Sequence, residues 1–463
     1  MQNDKTTQLF RDAPVPKAVI SNAIPSMVSM IMVLIYNIAD TFFISQTNDA
    51  LMVAAVSVAT PVFLIFMAFG MLFGIGGTSL ISRMLGAGNE KKARHISAFC
   101  FWTGTVIGII SMIAIWLFNE PICRVIGASD DTIGYASQYL SIIAFSIPFT
   151  IIGNTFSNII RAEGKPQKAM MGMIIGNVLN IVLDPICILF LGWNVAGAAV
   201  ATVVGNVVAV LFYIVHLVSK NSMLSIRLKD YRAGDGIATG VLAIGIPASL
   251  NSVMMSVSNI FINNVMVQYG DMAVAGLGVA MKVNMIVVML LIGLGSGIQP
   301  LLGYCYGAGN KKRFVAVMKF SLTLAFCLSI IMTIICYVFA GPLVTIFLQD
   351  AEAFQFGFSF SRAYILSGPI LGFLFVFINA IQSTGAALPA LILSVSRQGL
   401  LFLPILYILN HFCHEAAQIA HAQPITDYLS TALAAILFVI TYKKYFKIFD
   451  DTNDTGVQSR PPA

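Results

Sequence analysis

Twelve apolar runs follow one another along this chain, each long enough to cross a bilayer and separated by short polar connectors. A spanning helix needs about 20 apolar residues. The runs predict helices near residues 18–44, 50–82, 93–118, 133–160, 167–191 and 195–219, then 238–268, 272–303, 314–340, 354–382, 387–412 and 424–446. Twelve helices of about 25 residues consume about 300 residues, so the 463 available leave no room for a folded extramembrane domain. Composition agrees, with 58% hydrophobic residues, 10% charged and a mean hydropathy of +0.87. Soluble domains carry about 25% charge. The expectation is an all-α integral membrane protein, which excludes a soluble enzyme.

The seven cysteines are scattered, mostly within apolar runs, and form no CxxC pair. They predict neither a disulfide framework nor a structural zinc. The segment before Val19 is polar and mixed in charge, which does not fit a cleavable signal peptide, so the first helix is expected to be the insertion signal.

A net charge of +6 would in a soluble chain raise the question of nucleic acid. Here the bases are placed by side. Lys5, Arg11 and Lys17 precede the first helix, and Arg83, Lys91, Lys92 and Arg94 lie between the second and third. Arg161, Lys165 and Lys168, then Lys220, Arg227, Lys229 and Arg232, then Lys311, Lys312 and Arg313 continue the series, and Lys443, Lys444 and Lys447 close the last helix. The odd-numbered connectors instead carry Asp49, Glu120, Asp130, Asp131, Asp271, Asp350, Glu352, Glu415 and Asp427, with Arg124 as their one clear base. By the positive-inside rule both termini are expected in the cytoplasm.

The chain also repeats itself. GAGNEKKAR from Gly86 returns as GAGNKKRF from Gly307, an offset of 221 shared by Pro121 and Pro342, Asn158 and Asn379, and Gly164 and Gly385. Ile24-Pro25 and Asn37-Ile38 return at Ile246-Pro247 and Asn259-Ile260, an offset of 222. Six helices per copy is an even number, so both copies enter from one side and form parallel, pseudo-symmetric six-helix bundles suited to rocking about a shared cavity. The expected division is residues 1–219 for the first lobe, 220–236 for a cytoplasmic linker, 237–448 for the second lobe and 449–463 for a polar tail. The GAGN strings lack the GKS or GKT ending of a phosphate loop, so no ATP site is expected. They read as helix-ending glycines followed by interfacial lysines.

An ionisable side chain near the bilayer centre costs about 3 kcal/mol or more, so each is a functional candidate. Asp40 lies in the first helix and Asp184 in the fifth, where Asn177, Asn180 and Asp184 share one helical stripe. Pro185 lacks an N–H and frees the Ile181 carbonyl. Thr202, in the sixth helix, falls at a matching depth of roughly 6–10 Å below the outer interface. Asp, Asn, Asp and Thr oxygens suit Na⁺, or a proton on a buried carboxylate. The second copy has Ile262 and Ile405 at the positions of the two acids. It carries Lys282, Arg362 and Arg397 instead. Lys282, Arg397 and the first-helix Asn37 either line the cavity or bond carbonyls, and Arg362 snorkels to the outer end. His411, His414, His421 and Glu415 do not have the HExxH spacing of a zinc site and read as loop residues.

These residues resemble the multidrug and toxic compound extrusion (MATE) transporters, in the DinF/MepA-like branch. The likeness covers nearly the whole chain and rests on YNIADTFFI, the paired GAGN strings, RAEGKPQKAM, NVLNIVLDP and IQPLLGYCYGAGN. It implies a twelve-helix antiporter of two lobes in the plasma membrane, working as a monomer without cofactor or ATP and exporting organic cations against H⁺ or Na⁺. It further implies a cation site in the amino-terminal lobe at Asp40, Asn180, Asp184 and Thr202, with Asn177 as a neighbour. Acids that the NorM-like branch carries in its seventh and tenth helices are missing from this sequence. A lipid-linked oligosaccharide flippase of the same superfamily is the alternative, and would be favoured by a strongly cationic cavity.

Overall fold

The computed structural model of the protein describes residues 9–45, 50–126, 132–219, 222–348, 350–413 and 415–455. Lys5, Asp49, Asp130, Asp131, Lys220 and His414 lie outside these residues. The described residues form helices and no strands. The first copy of the repeat comprises α1 (Val15–Ser45), α2 (Ala50–Gly86), α3 (Glu90–Leu117), α4 (Ile133–Ala162), α5 (Pro166–Pro185, continued by a π turn at Ile186–Phe190) and α6 (Asn194–Val218). The second comprises α7 (Ile237–Val267), α8 (Asp271–Gly307), α9 (Lys311–Val338), α10 (Ala351–Ile365 and Gly368–Thr384), α11 (Ala387–Val395, a π segment at Ser396–Leu401, and Phe402–Phe412) and α12 (Ala422–Thr455). Eleven of these are long and apolar enough to span a membrane, and the two pieces of α10, bent by 52°, together make a twelfth. The all-α, twelve-span expectation holds.

Three departures from regular helix have local causes. In α10 the bend falls at Ser367-Gly368-Pro369, where Pro369 has no N–H to donate to the Ile365 carbonyl and Ser367 Oγ donates to the Tyr364 carbonyl at 3.1 Å. In α5 the ladder widens after Pro185, with Leu191 N donating to Ile186 O at 2.9 Å, five residues back. Gly197 of α6 packs on that turn so closely that an added Cβ would stand 2.7 Å from the Cys187 carbonyl. The third departure is the π segment of α11, which carries Arg397.

The GAGN strings close one helix and open the next. Gly88 and Gly309 both take positive φ, +72° and +66°. Asn89 N donates to Met84 O at 2.8 Å and Asn310 N to Cys305 O at 3.0 Å, the wide bond of a Schellman cap. The same asparagines then accept from Lys92 N at 3.0 Å and Arg313 N at 2.9 Å, so they cap α3 and α9. Gly164 and Gly385, also at positive φ, end α4 and α10 at the shared offset.

Contacts divide the chain into one unit built on Val28–Gly245 and another built on Ala13–Met27 with the chain from Ile246 onward. The opening turns of α1 thus pack in the second unit, where a Cβ on Gly297 of α8 would meet Ala23 Cα at 2.7 Å. The opening turns of α7 pack in the first, where a Cβ on Gly245 would meet the Leu72 carbonyl at 2.2 Å. Within the first unit α5 and α6 cross backbone to backbone: a Cβ on Gly205 would lie 2.8 Å from Gly176 O and 3.2 Å from Asn180 Cβ.

The segment after α6 is bound along α3 of the same unit. Arg94 Nε donates to Met223 O at 3.1 Å, Trp102 Nε1 to Ile226 O at 3.0 Å, and His95 Nδ1 stands 2.7 Å from Asp230 O. Met223 and Leu224 are buried. Glu163, just past α4 and 1% exposed, gathers these parts: Lys165 Nζ lies 3.0 Å and His216 Nε2 3.1 Å from its oxygens, and the Met223 amide donates to it. Burial by itself would raise this carboxyl, but the hydrogen bond with His216, the Lys165 charge and the Met223 amide outweigh it and hold the group below the ordinary carboxyl range.

A depressed folded-state carboxyl adds stability that is present above its unfolded value and is lost as pH falls through the folded one. Thermal unfolding in detergent should therefore show a melting temperature that drops on acidification below the ordinary carboxyl range. Glu163→Gln, which removes the charge its partners enclose, should melt lower at neutral pH by the equivalent of about 3 kcal/mol and show a flatter acid limb. Gly205→Val should destabilise by about 1–3 kcal/mol, because α5 and α6 must separate to admit it; a melting curve like the parent's would remove that crossing as a constraint.

Candidate functional site

The face of α5 predicted from spacing is the one the first unit buries. Asn180 is 3% exposed and Asp184 is fully buried, with Thr202 of α6 beside them at 6%. Asn180 Nδ2 donates to Thr202 Oγ1 at 3.2 Å, a bond permitted by the Gly176–Gly205 crossing one turn away. Tyr36 of α1 interacts with Thr202 as well. Asp40, one turn beyond Tyr36, is half-buried and acts electrostatically on Asp184. Tyr139 of α4 lies within the field of both carboxylates.

What distinguishes this cluster is what it leaves undone. Both carboxylate oxygens of Asp184 are buried without a hydrogen-bond partner, as are Asn180 Oδ1 and Asn177 Nδ2. A buried anion without a donor costs several kcal/mol, so such a group calls for a proton or a cation. The oxygens that converge, from two carboxylates, an amide and a hydroxyl, are hard ligands of the kind Na⁺ takes, and either carboxylate can equally hold a proton. The residues fit either ion. A cavity of about 300 Å³ lies against this end of α4 and the α5–α6 turn, lined by Tyr135, Gln138, Trp193 and Asn194 among others. Tyr135 is one helical turn from Tyr139 on the same face of α4.

Sequence reasoning named Asp40, Asn177, Asn180, Asp184 and Thr202, and the structure brings Asp40, Asn180, Asp184 and Thr202 together, with Asn177 one turn along α5. It missed the two tyrosines. Tyr36 stood four residues before Asp40, a spacing that marks a shared face; nothing in the sequence singled out Tyr139. Asn37 is exposed and donates to the Val33 carbonyl at 2.9 Å. Lys282 is exposed, with its Nζ 5.2 Å from the Phe347 ring. Arg362 lies on Tyr337, with Cζ 4.6 Å from that ring.

One expectation is corrected. The charge pattern counts Asp427 with the acids of the odd-numbered connectors. It lies instead in the second turn of α12, fully buried, with Arg397 Nε 3.0 Å from Oδ1. A short helix at Ala416–Ile419 occupies the connector, and α12 begins at Ala422, two residues before the apolar pattern suggests, so Asp427 falls in its second turn.

Comparison with known proteins agrees with this architecture. The MatE family model matches the chain twice, over residues 25–186 and 247–408, once for each copy of the repeat. The Multidrug export protein MepA of Staphylococcus haemolyticus (strain JCSC1435) is 32% identical over 412 residues, covering 88% of this chain and 90% of that protein. MepA of Staphylococcus aureus (strain NCTC 8325 / PS 47) is 31% identical over the same length and coverage. Among solved structures, a multidrug resistance MATE family transporter of the MOP superfamily in an outward-facing conformation superposes with a TM-score of 0.89 at 26% identity, over 97% of this chain and 99% of the other. A MOP superfamily transporter from Pyrococcus furiosus, whose binding pocket is described as of reverse polarity, gives 0.90 at 25% identity over 95% and 98%. With its twelve spans, its doubled family match and relatives above 30% identity across most of its length, this chain belongs to the MatE family of multi-pass membrane transporters, in the MepA branch.

Proposed function

We propose that the protein is a multidrug efflux antiporter of the cell membrane that exports lipophilic organic cations in exchange for H⁺ or Na⁺. The observation that carries this reading is the buried Asp184 carboxylate with no hydrogen-bond donor, set beside Asp40 and the Asn180–Thr202 pair. An ion entering there gains what the protein withholds. Because occupancy can shift a conformational equilibrium only through differential affinity, the site must bind its ion more tightly in one access state than in the other. The π turn after Pro185, immediately adjacent to Asp184, offers a place where α5 can adjust. The relatives named as multidrug export proteins support the substrate class, and a carboxylate-bearing site with few fixed donors suits varied cations better than one shaped solute.

The flippase reading depends on a strongly cationic cavity, and of its two candidate bases Arg397 is paired with Asp427, which leaves the exposed Lys282 as a single charge. We further read the molecule as having both termini and the segment 220–236 in the cytoplasm, on the distribution of its bases, and as a monomer, which the family likeness implies.

Transport in proteoliposomes with Na⁺ and H⁺ gradients imposed separately tests the coupling. Asp40→Asn and Asp184→Asn should each abolish gradient-driven export of ethidium-like dyes while leaving the fold intact, and the double change should be no worse than either alone. Thr202→Val should weaken Na⁺ coupling more than H⁺ coupling, since an oxygen ligand is lost and both protonatable groups stay. Near-normal pumping by well-folded Asp184→Asn protein would sink the proposed site. For orientation, single cysteines at 222–235 should resist labelling from outside the cell and those at 411–423 should accept it; the reverse pattern would invert the topology.

A further inference from the structure

The second unit holds a buried carboxylate that the exchange reading leaves unused. Asp427 is fully buried in the second turn of α12. Its Oδ1 receives Arg397 Nε at 3.0 Å and Gln423 Nε2 at 3.1 Å, while its Oδ2 has no hydrogen-bond partner. The charged and titratable groups facing it are Arg397 from α11 and Tyr364 from α10. The guanidinium is itself only 7% exposed and stands 5.4 Å above the Phe375 ring.

We propose that this is a cation site filled from within the chain: Asp427 is the carboxylate, and Arg397 is a tethered cation standing where an exchangeable ion would otherwise bind. The inference deepens the coupling reading and rests on it for its meaning, because it explains why only the first unit would exchange an ion.

Three observations lead here. The half-satisfied carboxylate repeats the chemistry of Asp184, a buried acid with too few donors, with the difference that one cation is already supplied. The cation is delivered by an irregular element, since Arg397 lies in the π segment Ser396–Leu401, whose extra residue re-aims side chains relative to a regular helix. Ser258 of α7 donates to the Gln398 carbonyl next to it and ties that segment down. Finally, an arginine does not deprotonate in a protein, and a covalently attached partner competes with free ions at a high effective concentration. No cellular Na⁺ or proton concentration displaces it, and the second unit stays neutral while the first responds.

A simple staple between α11 and α12 would show the same contacts, so the test must read cation binding and not stability alone. The purified Asp40→Asn/Asp184→Asn protein provides a background without the first-unit carboxylates. Its melting temperature should be indifferent to Na⁺ replaced by K⁺ at constant ionic strength, to millimolar guanidinium and to mild acidification that stays above the range in which Glu163 takes up its proton. Adding Arg397→Gln should create a response, with the melting temperature rising by at least about 2 °C with Na⁺, guanidinium or falling pH, and a further Asp427→Asn should abolish it. Folded Arg397→Gln protein that ignores all three would overturn the proposal and leave the pair as a staple.

Should Arg397→Gln fail to fold, recovery by guanidinium or acid supports the proposal. Failure under every cation and pH, while Arg397→Gln/Asp427→Asn folds, would overturn it. A response already present with Arg397 intact separates the two readings: if Asp427→Asn removes it, the tethered-cation assignment is wrong; if it persists, the first-unit coupling assignment is wrong, and the Arg397→Gln comparison still decides this one.

Discussion

A bilayer offers no hydrogen bonds, and this constraint organises the rest of the molecule. Small polar side chains answer it locally. Ser26, Ser82, Thr105 and Thr333 each donate to the carbonyl four residues back in their own helix, at 2.7–2.9 Å. Arg397 and Asp427 answer it by pairing. Against that background Asp184 is buried with no hydrogen-bond partner on either carboxylate oxygen, and on this the proposed cation site rests.

The scaffold was legible in the sequence because its signals are local. Apolar run length set the spans, the 221-residue offset set the repeat, and the Gly-Asn pairs at 88–89 and 309–310 marked corners that the structure builds as caps. The α5 stripe was legible for the same reason, since spacing along one helix fixes which side chains share a face. Contributions from separate helices were not. Tyr139 enters the cluster only through the packing of α4, and no feature of its own segment foretells that. Asp427 was misread because it lies near the end of an apolar run, where one turn of helix decides between solvent and core. The π segments of α5 and α11 were equally hidden, although Pro185 announced the first of them.

The two units thus share a frame and differ in their chemistry. Short helices follow α3 and α9 at Asn119–Val125 and Ala340–Thr345, 221 positions apart, and the same glycines turn the same corners. Yet Asp184 in the first unit has no hydrogen-bond partner on either oxygen, whereas Asp427 in the second receives Arg397 and Gln423 on one of its two. Duplicated scaffolds can divide labour in this way because the frame is held by backbone caps and helix crossings, which place few demands on the residues facing inward.

The segment after α6 shows a related economy. Arg94, Trp102 and His95 hold it through the carbonyls of Met223, Ile226 and Asp230, so α3 grips main chain and leaves most of the side chains along it unread. Any residue presents the same carbonyl. Arg227, Lys229 and Arg232 are therefore free to drift in evolution, to carry a charge pattern that suits a particular membrane, or to accept an inserted tag, while Met223 and Leu224, which are buried, and Glu163, which holds the amide, are not.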